Sequence, residues 1–237
     1  MTAIIYPDRR SLARATAARF LVEVTDAVAV RGIAHVVLTG GGVGIETLAE
    51  VAASPLTEAI DWTAVHVWWC DERFVGVGDP ERNEGQAQAA LLGTLLLPEE
   101  NIHRMGTSGA FDTPEAAAGA YAVELARHGE PCPAFDIALL GLGADGHVAS
   151  LFPGNAAVGL AGTCVAVRDS PKPPPERISL TLTALARARQ IWVVAAGAEK
   201  ADAVAGCLAG RGSLPGSRVR GTERTLWLID AAASAAI

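Results

Sequence analysis

Aromatic side chains make up only 5% of this 237-residue sequence, which leaves little material for a surface that stacks the bases of a nucleic acid. Runs of lysine and arginine are missing too. With 19 basic against 26 acidic residues the net charge is −7, so neither nucleic acid nor an anionic membrane is expected as a partner. Any anionic ligand must meet a local basic site. The four cysteines, Cys70, Cys132, Cys164 and Cys207, form no CxxC or CxxH pair, which argues against a zinc knuckle or redox dithiol and suits a reducing cytoplasm. No apolar stretch reaches the roughly 18 residues of a membrane span. Asp8, Arg9, Arg10, Arg14 and Arg19 interrupt what would be a secretory core. These arginines faintly resemble a mitochondrial presequence, but the apolar TAIIY run ahead of them reads as a first strand, and the arginines as part of an amphipathic first helix. A cytoplasmic monomer or small homo-oligomer is expected.

What is present is an ordinary globular composition, half hydrophobic and 19% charged. At about 150 residues per domain the length allows one large domain or two small ones. No break in composition and no repeat marks a linker, so residues 1–237 read as a single domain. Short β-type runs alternate with helical ones: TAIIY before a helix over Leu12–Val30, HVVLT before Ile45–Ala52, AVHVWWC before Gly85–Leu97, and a helix over Pro114–His128 before FDIALLGLG. TCVAV, QIWVVAAG and TLWLI follow, with a helix over Glu199–Leu208 between the last two. The rhythm predicts an α/β fold with one doubly wound, mostly parallel, Rossmann-like sheet of about seven strands and helices on both faces.

Three loops that follow strands carry the chemistry, at the edge where open parallel sheets gather ligands. Gly40, Gly41, Gly42 and Gly44 in TGGGVG either make a tight turn or bring amide N–H groups and a helix N-terminus to an anion. No Lys-Ser/Thr follows them, which excludes a Walker A loop. GLGADG matches G-x-G-x-x-G, but Pro153 and Gly154 stop any helix within about two turns, so no dinucleotide is expected there. Asp145 and His147, placed two apart in the same turn, suit a general base, since an unperturbed imidazole titrates near pH 6.5. His35, His66, His103 and His128 lack such context and read as structural or exposed. Asp71, Glu72 and Arg73 end an apolar strand and need solvent, each other or a ligand; Arg73 could bind an anion or stabilise an oxyanion, with Asp71 orienting it. Lys172 and Arg177 flank a stiff proline stretch that is either a surface linker or a loop holding cations over a pocket, and Lys200 in GAEKA is a further cation at the ligand edge. There is no G-x-S-x-G elbow, and Asp71 disfavours a Cys70 thiolate, so the expected nucleophile is water. No metal-ligand spacing is present.

Taken together, these loops resemble the 6-phosphogluconolactonase family over nearly the whole chain. The pieces occur in the family's order: TGGG at 39–42, WWCDERFV at 68–75 with Asn83 following, LLGLGADGHVASLFPG at 139–154, PKPPPERISLTL, and GAEKA at 197–201. The resemblance implies hydrolysis of 6-phospho-D-glucono-1,5-lactone, without metal or redox cofactor. His147 matches the catalytic histidine and Arg73 the arginine of the D-E-R motif. Lys200 sits where related sugar-phosphate enzymes place a phosphate-binding lysine. In this reading Asp145 tunes or orients His147, Arg73 and the glycine-loop amides are candidates for the oxyanion, and Lys200, helped by Lys172 or Arg177, takes the phosphate. Which cation meets which charge stays open. Gly42 stands where the family commonly has Ser, and so does Arg82. The glucosamine-6-phosphate isomerase/deaminases share the glycine loop and D-G-H turn, but their turn continues to a glutamate five residues after the histidine, and here that residue is Phe152. A non-catalytic sugar-phosphate sensor is a third reading, although no DNA-binding output segment accompanies this core.

Overall fold

Continuous apolar runs set the centre of the fold. In the computed structural model, which describes residues 1–237, strands β2 (Ala34–Leu38), β5 (Ile137–Gly141) and β8 (Gln190–Ala195) are buried almost throughout. Uninterrupted apolar sequence without alternation is what a parallel strand covered on both faces requires. With β1 (Thr2–Tyr6), β3 (Val65–Trp69) and β9 (Arg224–Asp230) they form a six-stranded sheet of order β1-β9-β8-β5-β2-β3, and every pairing in it is parallel. Trp68, Trp69, Trp192 and Trp227 are fully buried on these strands and put most of the scarce aromatic volume into the core.

Local chemistry explains where most helices begin and end. Helix α1 (Arg9–Arg31) starts because the Asp8 carboxylate accepts from Ser11 N at 2.7 Å, and it stops at Gly32, whose left-handed backbone (φ 74°) closes the last turn onto Val28 O. Its buried face, including Leu12, Phe20, Leu21 and Val24, belongs to the main core, so the arginine-rich N-terminal segment is an integral strand and helix of the fold. Helix α2 (Gly42–Ala52) packs beside α1, and α4 (Pro114–Arg127) is capped by the Thr113 hydroxyl with proline in its first turn. Helices α5 (Leu182–Leu185) and α6 (Ala201–Leu208) complete the later crossovers. No helix is long and apolar enough to cross a membrane.

Three expectations are corrected. TCVAV is not a seventh strand of the main sheet. As β6 (Cys164–Val167) it pairs antiparallel with β7 (Arg177–Leu180), and β7 pairs antiparallel with β4 (Asp71–Arg73), giving a separate three-stranded sheet. The proline loop between β6 and β7 is a hairpin connection, too short for the crossover that a parallel neighbour needs. The charged tip at 71–73 is therefore a strand rather than a loop: Cys70 still donates to Leu38 O of the large sheet, while its carbonyl accepts from Leu180 N of the small one. The helix expected over Gly85–Leu97 is α3 (Asn83–Ala90), starting two residues earlier and ending at Leu91, where the backbone leaves helical geometry.

The topology places a crevice. From β2 the chain moves outward to β3, then returns to the other side of β2 as β5 and continues through β8 and β9. Strand order reverses between β2 and β5, and ligands bind outside the carboxyl ends of strands at such a reversal. The glycine loop leaves β2 and the Asp145–His147 turn leaves β5, so both open onto the same crevice; Thr39 Oγ1 accepts from Gly141 N at 3.3 Å and ties them together.

Candidate active site

A cavity of about 350 Å³ fills this crevice, bordered by the glycine loop, Arg73, His147, Lys172 and Lys200. Its floor is backbone. Gly40 lies against Asn83, whose amide group would overlap any Cβ placed there, and Gly41 adopts φ 83°, a conformation that glycine tolerates best. No side chain caps α2, so its first N–H groups are left without the usual partner beside the cavity.

The second wall is the turn after β5. Gly143 N donates to His147 O and Gly146 N to Gly143 O, and Gly146 has φ 82°, so the loop folds back on itself and no helix follows. The glycines of G-x-G-x-x-G thus shape a compact turn around a histidine. Asp145 Oδ1 lies 2.5 Å from His147 Nδ1 and 3.2 Å from His147 N, fixing the ring from both ends. Partial burial works to raise the Asp145 carboxyl, but the bonds from His147 outweigh it and hold it at about 2. With Nδ1 committed to the carboxylate, Nε2 is the nitrogen left for chemistry. The ring rests on Phe152, centroids 4.4 Å apart.

Arg73 is held through Nη1, which donates to Asn83 Oδ1 at 2.8 Å and to Glu81 O. Its Nε is buried without a partner in the protein. Asp71 does not orient Arg73, contrary to expectation. Its carboxylate accepts from Ser150 Oγ at 2.6 Å and from the Cys70 thiol at 3.2 Å, which joins β4 to the histidine loop. Burial, with the Asp71 charge added, raises the Cys70 thiol far above its ordinary range, as a non-nucleophilic cysteine requires. The positioning group for Arg73 is Asn83, and behind it Glu72, whose carboxylate accepts from Asn83 N and Glu84 N and so caps α3 from the neighbouring strand.

The cations divide their work. Arg177 is buried on β7 and donates to the carbonyls of Lys172, Pro173 and Pro174, so it fastens the proline loop while bordering the cavity. The loop brings Lys172 to the rim. Lys200 also borders the cavity, after Gly197, whose N–H donates to both Asp230 carboxylate oxygens at 3.1 Å. Burial, and then the Lys172 ammonium, lower the Lys200 pKa.

A model of the glucosamine-6-phosphate isomerases/6-phosphogluconolactonase family matches residues 7–227. The chain is 49% identical to a 6-phosphogluconolactonase of Streptomyces coelicolor, over 98% of this chain and 92% of that protein, and 45% identical to one of Mycobacterium tuberculosis, over 98% and 96%. In three dimensions it is similar to the 6-phosphogluconolactonase of Trypanosoma brucei, with a TM-score of 0.82, 27% identity, and coverage of 98% of this chain and 97% of that one. The chain belongs to the glucosamine-6-phosphate isomerase/6-phosphogluconolactonase family.

As a member of that family it has two local departures. A Cβ at Gly42 would meet only the guanidinium end of Arg9, a half-exposed side chain that borders the cavity from α1 and pairs with Glu46 at 2.7 Å, and nothing in the structure explains the glycine. Arg9, far away in sequence and embedded among other arginines, gave no signal of its own. Arg82 is fully buried, donating to Met105 O at 2.7 Å and pairing with Glu84 at 3.1 Å, so it anchors α3 from beneath. Asn83, Glu72 and Ser150 are the other site residues that sequence reasoning passed over as roles, although WWCDERFV with Asn83 marked the neighbourhood. The four remaining histidines, read individually as structural or exposed, converge in one cluster at the opposite end of β2 and β3.

Proposed function

We propose that this chain hydrolyses 6-phospho-D-glucono-1,5-lactone to 6-phospho-D-gluconate, with His147 as the general base. The observation that carries the reading is the Asp145–His147 pair, whose imidazole borders a cavity that Arg73, Lys172 and Lys200 also border. His147 Nε2 takes a proton from water as the water oxygen attacks the lactone carbonyl, and the carbonyl electron pair moves onto oxygen. The glycine-loop amides and Arg73 stabilise that oxyanion. When the tetrahedral intermediate collapses, the bond from the carbonyl carbon to the ring oxygen breaks and the imidazolium returns its proton to the departing oxygen. Asp145 stays ionised and steadies the imidazolium. Lys200 and Lys172 hold the phosphate, and Arg177 serves by fixing the loop that carries Lys172. A single domain over residues 1–237 is part of the same reading, supported by a cavity that draws on residues from Arg9 to Lys200. A cytoplasmic setting is part of the same reading, since all four cysteines are free thiols.

The deciding experiment generates the lactone in place with glucose-6-phosphate dehydrogenase and follows its disappearance. Wild-type protein accelerates the loss, and folded His147→Ala protein does so at least about 100-fold more slowly, the lower range for a positioned base. Near-wild-type turnover in that variant would remove His147 from the mechanism. The same protein is expected to release no ammonia from glucosamine 6-phosphate. Phe152, buried against the His147 ring, can neither carry charge nor accept a proton for the ring opening that deamination requires. Steady ammonia release would favour the deaminase, and inactivity on both substrates the sensor.

A further inference from the structure

Away from the cavity, the amino ends of β2 and β3 gather four imidazoles. His35 and His66 are the second residues of these strands, His103 follows the bridge of Ile102 to Val67, and His128 ends α4. Four residues of strand separate His35 from the glycine loop, about 13 Å at the usual rise, and the lactone chemistry uses none of this cluster. We propose that His66, His103 and His128 form a binding site for a late first-row divalent transition-metal ion, zinc being the expected occupant, with Glu124 orienting His103 from behind.

The nitrogens that would bind are already together. One nitrogen from each of the three rings lies within 4.8 Å of the other two. His66 Nδ1 and His103 Nε2 are 2.9 Å apart, and His103 Nδ1 lies 2.9 Å from Glu124 Oε1. The Glu124 carboxylate is held in turn by Arg127 at 2.7 Å. A carboxylate accepting from one ring nitrogen leaves the other with its lone pair free, the carboxylate–histidine–metal arrangement that fixes a ligand's tautomer. His66 then donates its Nδ1 proton to His103 Nε2, so a proton occupies the place the cation would take. Zn–N distances of 2.0–2.1 Å in tetrahedral geometry set ligand nitrogens about 3.3 Å apart, so loading requires the two rings to separate by a few tenths of an ångström and re-aim. His66 enters as its Nε2–H tautomer, and a neutral site thereby loses no net proton. His66 and His128 are only partly buried, which gives both the room to move and the ion a way in.

Surrounding groups favour neutral ligands and define the set. The three ring centroids lie 4.5–5.2 Å apart, close enough that protonated rings would repel one another. Metal-binding imidazoles must be neutral. His35 is excluded because its Nδ1 accepts from the Trp68 indole at 3.2 Å, which leaves the proton on Nε2. Trp68 also stacks on His103 with centroids 3.7 Å apart, holding that ring in place. Three imidazoles and no thiolate match zinc, nickel or copper rather than magnesium or calcium. The ion would join β3, the segment after Ile102 and the end of α4.

Calorimetric titration of the full chain with zinc chloride tests the site. One equivalent is expected to bind saturably and raise the thermal unfolding midpoint. His66→Gln and His128→Gln are expected to weaken binding at least about tenfold and Glu124→Gln about 10- to 100-fold, the range for orienting partners. His147→Ala should leave it unchanged. Circular dichroism establishes that each variant is folded, and anomalous scattering at the zinc edge locates the ion without any variant. Density between the three rings supports the proposal. Absence of saturable binding, binding that survives the His66 and His128 substitutions, or density beside His147 would overturn it.

Discussion

Gly143 owes its identity to its neighbours rather than to its backbone: a Cβ at this position would overlap His147 Nδ1 and Asp145 Oδ1. Gly143→Ala is therefore expected to lower lactone turnover sharply in a folded protein, because the added methyl group forces apart the two side chains that must touch. Asp145→Asn separates orientation from charge. With its carboxyl held at about 2, below the ordinary 3.8, the pair's contribution to stability is fully present above the ordinary value and is lost as pH falls through about 2. The carboxylate is thus ionised at every pH used for assay. The variant should lose at least about tenfold in kcat at neutral pH, below the full worth of a general base, with KM little changed. Wild-type kcat in the folded variant would contradict this. Lys200→Ala is expected to raise KM for the phosphorylated lactone far more than for unphosphorylated gluconolactone, since a remote phosphate contributes mainly uniform binding. Equal effects on both substrates would exclude the phosphate role. Asp145 and His147 were legible in the sequence because the two residues share one turn. Asn83 and Arg9 were not, because they reach the cavity from other elements.

The same contrast holds for whole elements. Helix α4 could be read almost to the residue, and α1 to within three residues at its start and one at its end. Helix α3 was expected two residues late at its start and seven too far at its end, because the backbone leaves helical geometry at Leu91, where no glycine or proline marks a stop. The separate small sheet was equally hidden: nothing local to TCVAV says that its partner lies across the proline loop. Glu72 is expected to be costly to remove. Glu72→Ala strips the carboxylate from two α3 N–H groups and leaves Arg82, 3.8 Å away and equally buried, with one acidic partner fewer. Arg82 keeps Glu84 at 3.1 Å, so the cost is that of leaving the α3 N–H groups without their acceptor, about 1–3 kcal/mol. Urea denaturation should show a loss of that order, with lactone turnover reduced because Asn83 and Arg73 lose their footing. An unchanged midpoint would mean that α3 is held from Arg82 alone.

At the scale of the molecule, the chemistry stays at the carboxyl ends of the strands and the histidine cluster at the amino ends. Lactone hydrolysis as described needs water, one base and fixed cations, so turnover is expected to survive exhaustive chelation even if chelation lowers the unfolding temperature. Activity lost on chelation and restored by one divalent ion would contradict that separation. The parallel core was visible in the sequence as alternating apolar and helical runs, and the reversal of strand order that opens the crevice followed only once β5 was seen beside β2.

Strand β1 has a single neighbour in the sheet, and that neighbour is β9. Thr2 lies beside Leu226 and Tyr6 beside Asp230, with Ala231 N donating to Tyr6 O at 2.8 Å. During synthesis β1 is therefore made long before its partner, and until β9 follows it has no native neighbour in the sheet. Helix α1, which rests partly on β9, can form early but cannot finish docking before β9 arrives.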